Sequence, residues 1–167
     1  MTENKIYSNN VLDHDYESLF KNKCSLIKEK YSENDLELIS YETLLIMGKF
    51  LINVKPLSQS REYKKCILKY LDIYIEFNKP LTENKKLVYQ NSKEYLYKVG
   101  SYLLKFGFSF KSTYKFIMIS IIMIELILMY FFKSKFYFLP YFSITIYSYL
   151  LLSQYKKKKK GKLIELW

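Results

Sequence analysis

The sequence predicts an all-α protein: an N-terminal helical domain of about four helices followed by a C-terminal two-helix transmembrane hairpin. Three observations lead there. Apolar residues recur at helical spacing through the first 112 residues, with no strand alternation and no hairpin-turn signal. Two long apolar runs follow, holding one charge between them. A run of five lysines then closes the apolar region. The 167 residues divide accordingly into a helical domain at 1–112, a hairpin at 113–155 and a polybasic tail at 156–167.

The first helix is expected over residues 12–31, with Tyr16, Leu19, Phe20, Ile27 and Tyr31 on one stripe. The second is expected over 32–56. Ser32 and Asp35 form a short-armed capping box at its start, and Leu36, Ile39, Leu44, Met47, Phe50 and Leu51 carry it to Pro56. The third spans about 58–78, where Tyr63, Ile67, Tyr70, Tyr74 and Phe77 share an i, i+3, i+4 face and Pro80 closes the segment. The fourth begins near Thr82 and carries Leu96, Val99, Leu103 and Phe106, with Gly100 and Gly107 as bends.

Residues 116–132 read FIMISIIMIELILMYFF and residues 136–153 read FYFLPYFSITIYSYLLLS. As helices rising 1.5 Å per residue, each approaches the roughly 30 Å of a hydrocarbon core. Lys133, Ser134 and Lys135 form too short a connector for a domain, so both chain ends are expected on one side. That side carries Lys105, Lys111, Lys115 and the Lys156–Lys162 cluster, which the positive-inside rule places in the cytoplasm or the mitochondrial matrix. Tyr130, Phe131, Phe132, Phe136, Tyr137, Phe138 and Tyr141 form an aromatic belt at the outer interface. Tyr149, Tyr155 and Trp167 serve the inner one. The polar start MTENKIYSNN predicts no secretory signal.

Glu125 stands in the middle of the first span, where a bare carboxylate costs a few kcal/mol. A hairpin symmetric about Ser134 brings Glu125 level with Ser143 and Ser120 level with Ser148, with Thr145 and Tyr147 within one turn. A protonated Glu125 bonded to one of these hydroxyls, or to a neighbouring subunit, is the expected state. A proton relay is the competing reading, and it lacks further titratable groups at that depth.

The net charge is +11, with 50% hydrophobic and 19% aromatic residues. That composition excludes a disordered chain, and two cysteines exclude a disulfide scaffold. Residues 1–113 hold 18 basic and 14 acidic residues, whereas 114–167 hold nine lysines and two glutamates. The excess therefore sits around the hairpin, which argues against nucleic acid as a partner. Lys156, Lys157, Lys158, Lys159, Lys160 and Lys162 serve as a topology signal, as an anionic-lipid contact, or as both. No Walker loop, dinucleotide fingerprint, CxxC, HExxH or GxSxG occurs. Cys24 and Cys66 sit on or beside apolar stripes, and the single histidine, His14, lies near a helix start. No catalytic residue, cofactor or metal site is expected.

There is no alanine, and Arg61 is the one arginine among 27 basic residues. With the segment FFKSKFYFLPYF, this composition resembles that of membrane proteins encoded in AT-rich, ciliate-type protist mitochondrial genomes. The resemblance implies a non-catalytic accessory subunit of a respiratory complex or ATP synthase. It also implies an inner-membrane location with both termini in the matrix, and other membrane subunits as partners. A membrane-anchored helical adaptor and a small pore-forming effector are the alternatives.

Overall fold

The computed structural model describes residues 7–132 and 139–166. They divide into two compact units, residues 7–106 with Leu166, and Gly107–Glu165.

The first unit is helical throughout, with breaks that the apolar spacing does not announce. The expected first helix is two: α1 (Asn9–His14) and α2 (Tyr16–Lys30), separated at Asp15. The second is also two. α3 (Glu33–Leu38) starts at the Ser32 cap, whose hydroxyl accepts from the Asp35 N–H at 3.3 Å. Ser40 then takes a left-handed φ of 53° and redirects the chain into α4 (Tyr41–Ile52). α5 (Leu57–Glu76) packs against α1, α2 and α4. Its Ile67, Leu68, Tyr70, Leu71 and Tyr74 have no exposed surface. Phe20 and Ile27 of α2, with Leu44, Met47 and Leu51 of α4, complete that side of the core.

α2 and α4 meet at Gly48. A Cβ there would stand 2.2 Å from Cζ of Phe20, so only glycine admits the ring. The ring is in turn stacked on Tyr16, with centroids 5.8 Å apart.

The fourth expected helix is continuous but irregular. A 3₁₀ turn (Thr82–Asn84) leads into α6 (Lys85–Asn91), then a π turn (Ser92–Leu96), α7 (Tyr97–Leu103) and a last 3₁₀ turn (Leu104–Phe106). Gly100 lies inside α7 and is no bend. The π turn widens the spiral, and Ser92 within it is fully buried beside Tyr70. The Tyr70 phenol donates to the Ile39 carbonyl at 2.8 Å and accepts from the Ser92 hydroxyl at 2.9 Å.

The second unit runs β1 (Ser109–Phe110), α8 (Lys111–Phe132), α9 (Leu139–Lys159) and β2 (Leu163–Ile164). The two short strands pair in parallel, Ser109 with Leu163 and Phe110 with Ile164. Tyr114, Leu150 and Leu163 form the buried core, with Met118 and Ile121 packed against it.

All-α holds as the class, apart from that strand pair, but the transmembrane hairpin does not. Among the described residues no helix is long and apolar enough to cross a membrane. The expected integral inner-membrane location falls with it. α8 opens on Lys111, Ser112, Thr113 and Lys115 and carries Glu125. α9 carries Ser143, Thr145, Ser148 and Ser153, and its last turn is Lys156–Lys159. Of the aromatic belt, Tyr130 and Phe131 are exposed and meet edge to face, with centroids 5.6 Å apart. The connector 133–135, Phe136, Tyr137, Phe138 and Trp167 lie outside the described residues, as do the side chains of Phe132 and Tyr141.

The expected polybasic tail begins inside α9, whose last turn is Lys156–Lys159. α9 ends at Gly161, where φ is +61°. The Gly161 N–H bonds to the Lys158 carbonyl at 2.9 Å, and the Lys162 N–H to the Lys157 carbonyl at 2.9 Å. This pair of bonds is a Schellman C-cap, which needs a left-handed residue after the helix. The chain then reverses, and the Ser109 N–H reaches the Lys162 carbonyl at 3.1 Å.

Candidate functional site

The polar set expected around Glu125 is only partly assembled. One Glu125 carboxylate oxygen is buried with no hydrogen-bond partner among the described residues. Ser143 and Tyr147 instead line an apolar cavity of about 240 Å³ with Met118, Ile121 and Ile122. The Ser120 hydroxyl donates to the Phe116 carbonyl of its own helix at 2.9 Å. Thr145 is exposed on α9.

The lysines are gathered more tightly than their run in the sequence suggests. Five consecutive helical residues point in five directions at 100° intervals. The reversal at Gly161 changes this, because it returns Lys162 to the side of α9 that carries Lys156, Lys157 and Lys160. These four lysines and Ser153 line a cleft of about 370 Å³. Lys158 turns to Glu165 at 3.5 Å, and Lys159 is exposed outside the cleft.

The cleft base is fixed by short polar contacts. Lys157 donates to the Ser109 hydroxyl and lies 5.9 Å from the Tyr114 ring centroid. The Tyr114 and Ser153 hydroxyls are 3.3 Å apart. Burial opposes ionisation of Tyr114, but the Ser153 and Ser109 hydroxyls and the Lys157 ammonium outweigh it and hold the phenol below its usual range. Lys162 lies 6.0 Å from the Phe108 ring centroid. Lys111 bonds to Glu165 at 2.8 Å and, with Lys158, keeps that carboxyl below its usual range.

A second charged cluster lies in the first unit. Arg61 makes a forked contact to Asp13, with Nε at 3.0 and 3.1 Å from the two carboxylate oxygens and Nη2 closing the fork. The fork holds the Asp13 carboxyl below its usual range. One turn on, Lys64 is 1% exposed. Its ammonium donates to the Leu12 carbonyl at 3.3 Å and lies 5.1 Å from the Tyr16 ring centroid. Burial lowers its pKa, partly offset by Asp13.

Cys24 is buried, and burial pushes its thiol up to about 12, against an opposing hydrogen bond with Tyr41. Burial also raises Cys66. Both thiols are therefore protonated at neutral pH and poor nucleophiles. His14 lies exposed in the last turn of α1. Among the described residues, no group of three histidine, cysteine or acidic side chains is placed to hold a metal ion.

Neither apolar spacing nor a motif marks Ser109, Ser153 or the Arg61–Asp13–Lys64 cluster, and Tyr114 reads from sequence only as a flank of the first apolar run. Gly161 directly after a lysine-rich helix end is the signal that points to the cleft, because glycine there marks a reversal. Nothing in the spacing of Asp13 and Arg61, 48 residues apart, announces their pairing. Comparisons with protein-family models, with curated proteins and with solved structures each return no match for this chain.

Proposed function

We propose that this chain is a non-catalytic structural subunit of a larger protein assembly. The reading rests on the apolar surface of α8 and α9. Phe116 is 73% exposed, Ile119 61% and Leu126 55%. Ile122, Met123, Ile124 and Ile127 are exposed beside them. A free monomer seldom leaves so continuous an apolar surface uncovered, because burying it is worth about 25 cal/mol per Å². The unpartnered Glu125 oxygen adds a requirement for a hydrogen-bond donor from outside the described residues. The occupant is a set of apolar helices from neighbouring subunits, with a donor placed opposite Glu125. The resemblance to proteins encoded in AT-rich protist mitochondrial genomes implies an oxidative-phosphorylation complex as the assembly.

The test is purification of the full chain from its native source under non-denaturing conditions, followed by native electrophoresis and subunit counting. Stoichiometric migration with the subunits of a respiratory complex or ATP synthase is the expected result. Migration as a free monomer, or as a closed oligomer of this chain alone, overturns the proposal.

A further inference from the structure

We propose that the lysine cleft of the second unit binds a phosphorylated amphiphile, its phosphate held by Lys156, Lys157, Lys160 and Lys162 and its apolar part resting on Tyr149 and Leu152. The inference does not depend on the assembly role above.

The first argument is electrostatic. Lys156 and Lys160 are i, i+4 neighbours, a spacing at which like charges repel. The Gly161 reversal brings Lys162 to the same cleft. The helix dipole explains cations in the last turn of α9, but it does not explain a chain reversal that adds another. An anion that takes several ammonium donors offsets the repulsion. A phosphate does so with three terminal oxygens and up to two charges, and lysine is suited to it as a rotatable point charge.

The second argument is the order of side chains along one face of α9. Tyr149, Leu152, Ser153, Lys156, Lys157 and Lys160 follow one another at helical spacing. The face runs from apolar through hydroxyl to cationic within three turns, and all six line the cleft. Tyr149 is 70% and Leu152 58% exposed. An exposed apolar ledge joined to a cationic cleft matches a ligand with a phosphate at one end and a hydrocarbon at the other. The base beneath is rigid: Lys157 is tied to Ser109, which the β1–β2 pairing holds in place.

The experiment is isothermal titration of the full chain with monomeric dihexanoyl phosphatidic acid. Inorganic pyrophosphate, dihexanoyl phosphatidylcholine and a short polyglutamate peptide are titrated in parallel. Saturable one-to-one binding of phosphatidic acid is expected, weakened about thirtyfold by K156Q/K160Q if each lysine contributes on the order of 1 kcal/mol. Leu152→Ser should weaken phosphatidic acid about fivefold and leave pyrophosphate unchanged. All variants sit at exposed positions, and retained helical circular dichroism confirms that they fold. Four results overturn the proposal: no saturable binding of phosphatidic acid, unchanged affinity in K156Q/K160Q, equal binding of phosphatidylcholine, or equal binding of polyglutamate. Pyrophosphate binding as tightly as phosphatidic acid, with no effect of Leu152→Ser, assigns the cleft to free phosphate and also overturns the amphiphile.

Discussion

The Phe20 ring occupies the space that a side chain at Gly48 would fill, with Cζ only 2.2 Å from the position of a Cβ. α2 and α4 therefore approach each other at a distance set by a missing methyl group. Gly48→Ala should lower stability by about 2–3 kcal/mol, as overpacking in a closed core does. Thermal denaturation should show the midpoint falling by about 10 °C. Phe20→Leu in the Gly48→Ala background should recover part of the loss. An alanine variant as stable as the wild type would mean that the ring moves aside freely.

Arg61 and Asp13 should give the first unit a signature in acid. The Asp13 carboxyl is held below its ordinary value of 3.8 by the Arg61 fork. A depressed acid stabilises the fold above its unfolded pKa, and that contribution disappears as pH falls through the folded value. Arg61→Gln should therefore be less stable than the wild type at pH 6 and indistinguishable from it near pH 2. Arg61→Lys should not restore the difference fully, because an ammonium lacks the fork. Urea midpoints measured across that range decide the matter.

Lys64 should behave in the opposite sense. Its folded pKa is lowered, chiefly by burial, so the native state holds the proton less tightly than the unfolded chain. Stability carried by this group is then reduced while it is protonated in the fold. It recovers as pH rises through the folded value toward the unfolded 10.5. Lys64→Met fills the same volume without the charge. It should equal or exceed the wild type at pH 7 and lose the alkaline recovery. Lys64→Ala should cost about 2–3 kcal/mol, because it leaves a cavity. Denaturant titrations of the wild type and Lys64→Met from pH 7 to 10.5 provide the comparison, since tyrosine ionisation is common to both chains.

Gly161 offers a test of the C-cap alone. A Cβ there meets nothing within 4 Å, so the cost of Gly161→Ala comes from its φ of +61°. That cost is about 1–2 kcal/mol. Hydrogen exchange at the Gly161, Lys162 and Ser109 amides should accelerate together, since these three carry the cap and the reversal. Gly161→Asn should be milder, because asparagine tolerates the left-handed region.

Periodicity made part of this fold legible. Ile67, Tyr70 and Tyr74 were placed on one face by spacing alone, and all three are fully buried. Ser32 was readable as a cap because its signal is local. The breaks at Asp15 and Ser40 and the π turn at Ser92 were not readable, since a stripe of apolar residues continues across a redirected helix. Apolar length alone overstates the hairpin in a related way. Counting apolar residues from 116 to 132 registers length and charge, but not Tyr114, Met118 and Ile121 seating α8 on α9. The lysine run was visible. That it forms a concave cleft depends on one glycine and on a hydroxyl 48 residues from Lys157.

The parallel pairing of Ser109–Phe110 with Leu163–Ile164 has a practical corollary. The second unit is entered at the start of β1 and left at the end of β2, so its boundary points lie at opposite ends of one short parallel ladder, on the order of 10 Å apart. Compact units whose ends are that close tolerate transplantation. Gly107–Glu165 should be transferable as a cassette into a surface loop of an unrelated host, or closable by a short linker into a circle, with the cleft intact.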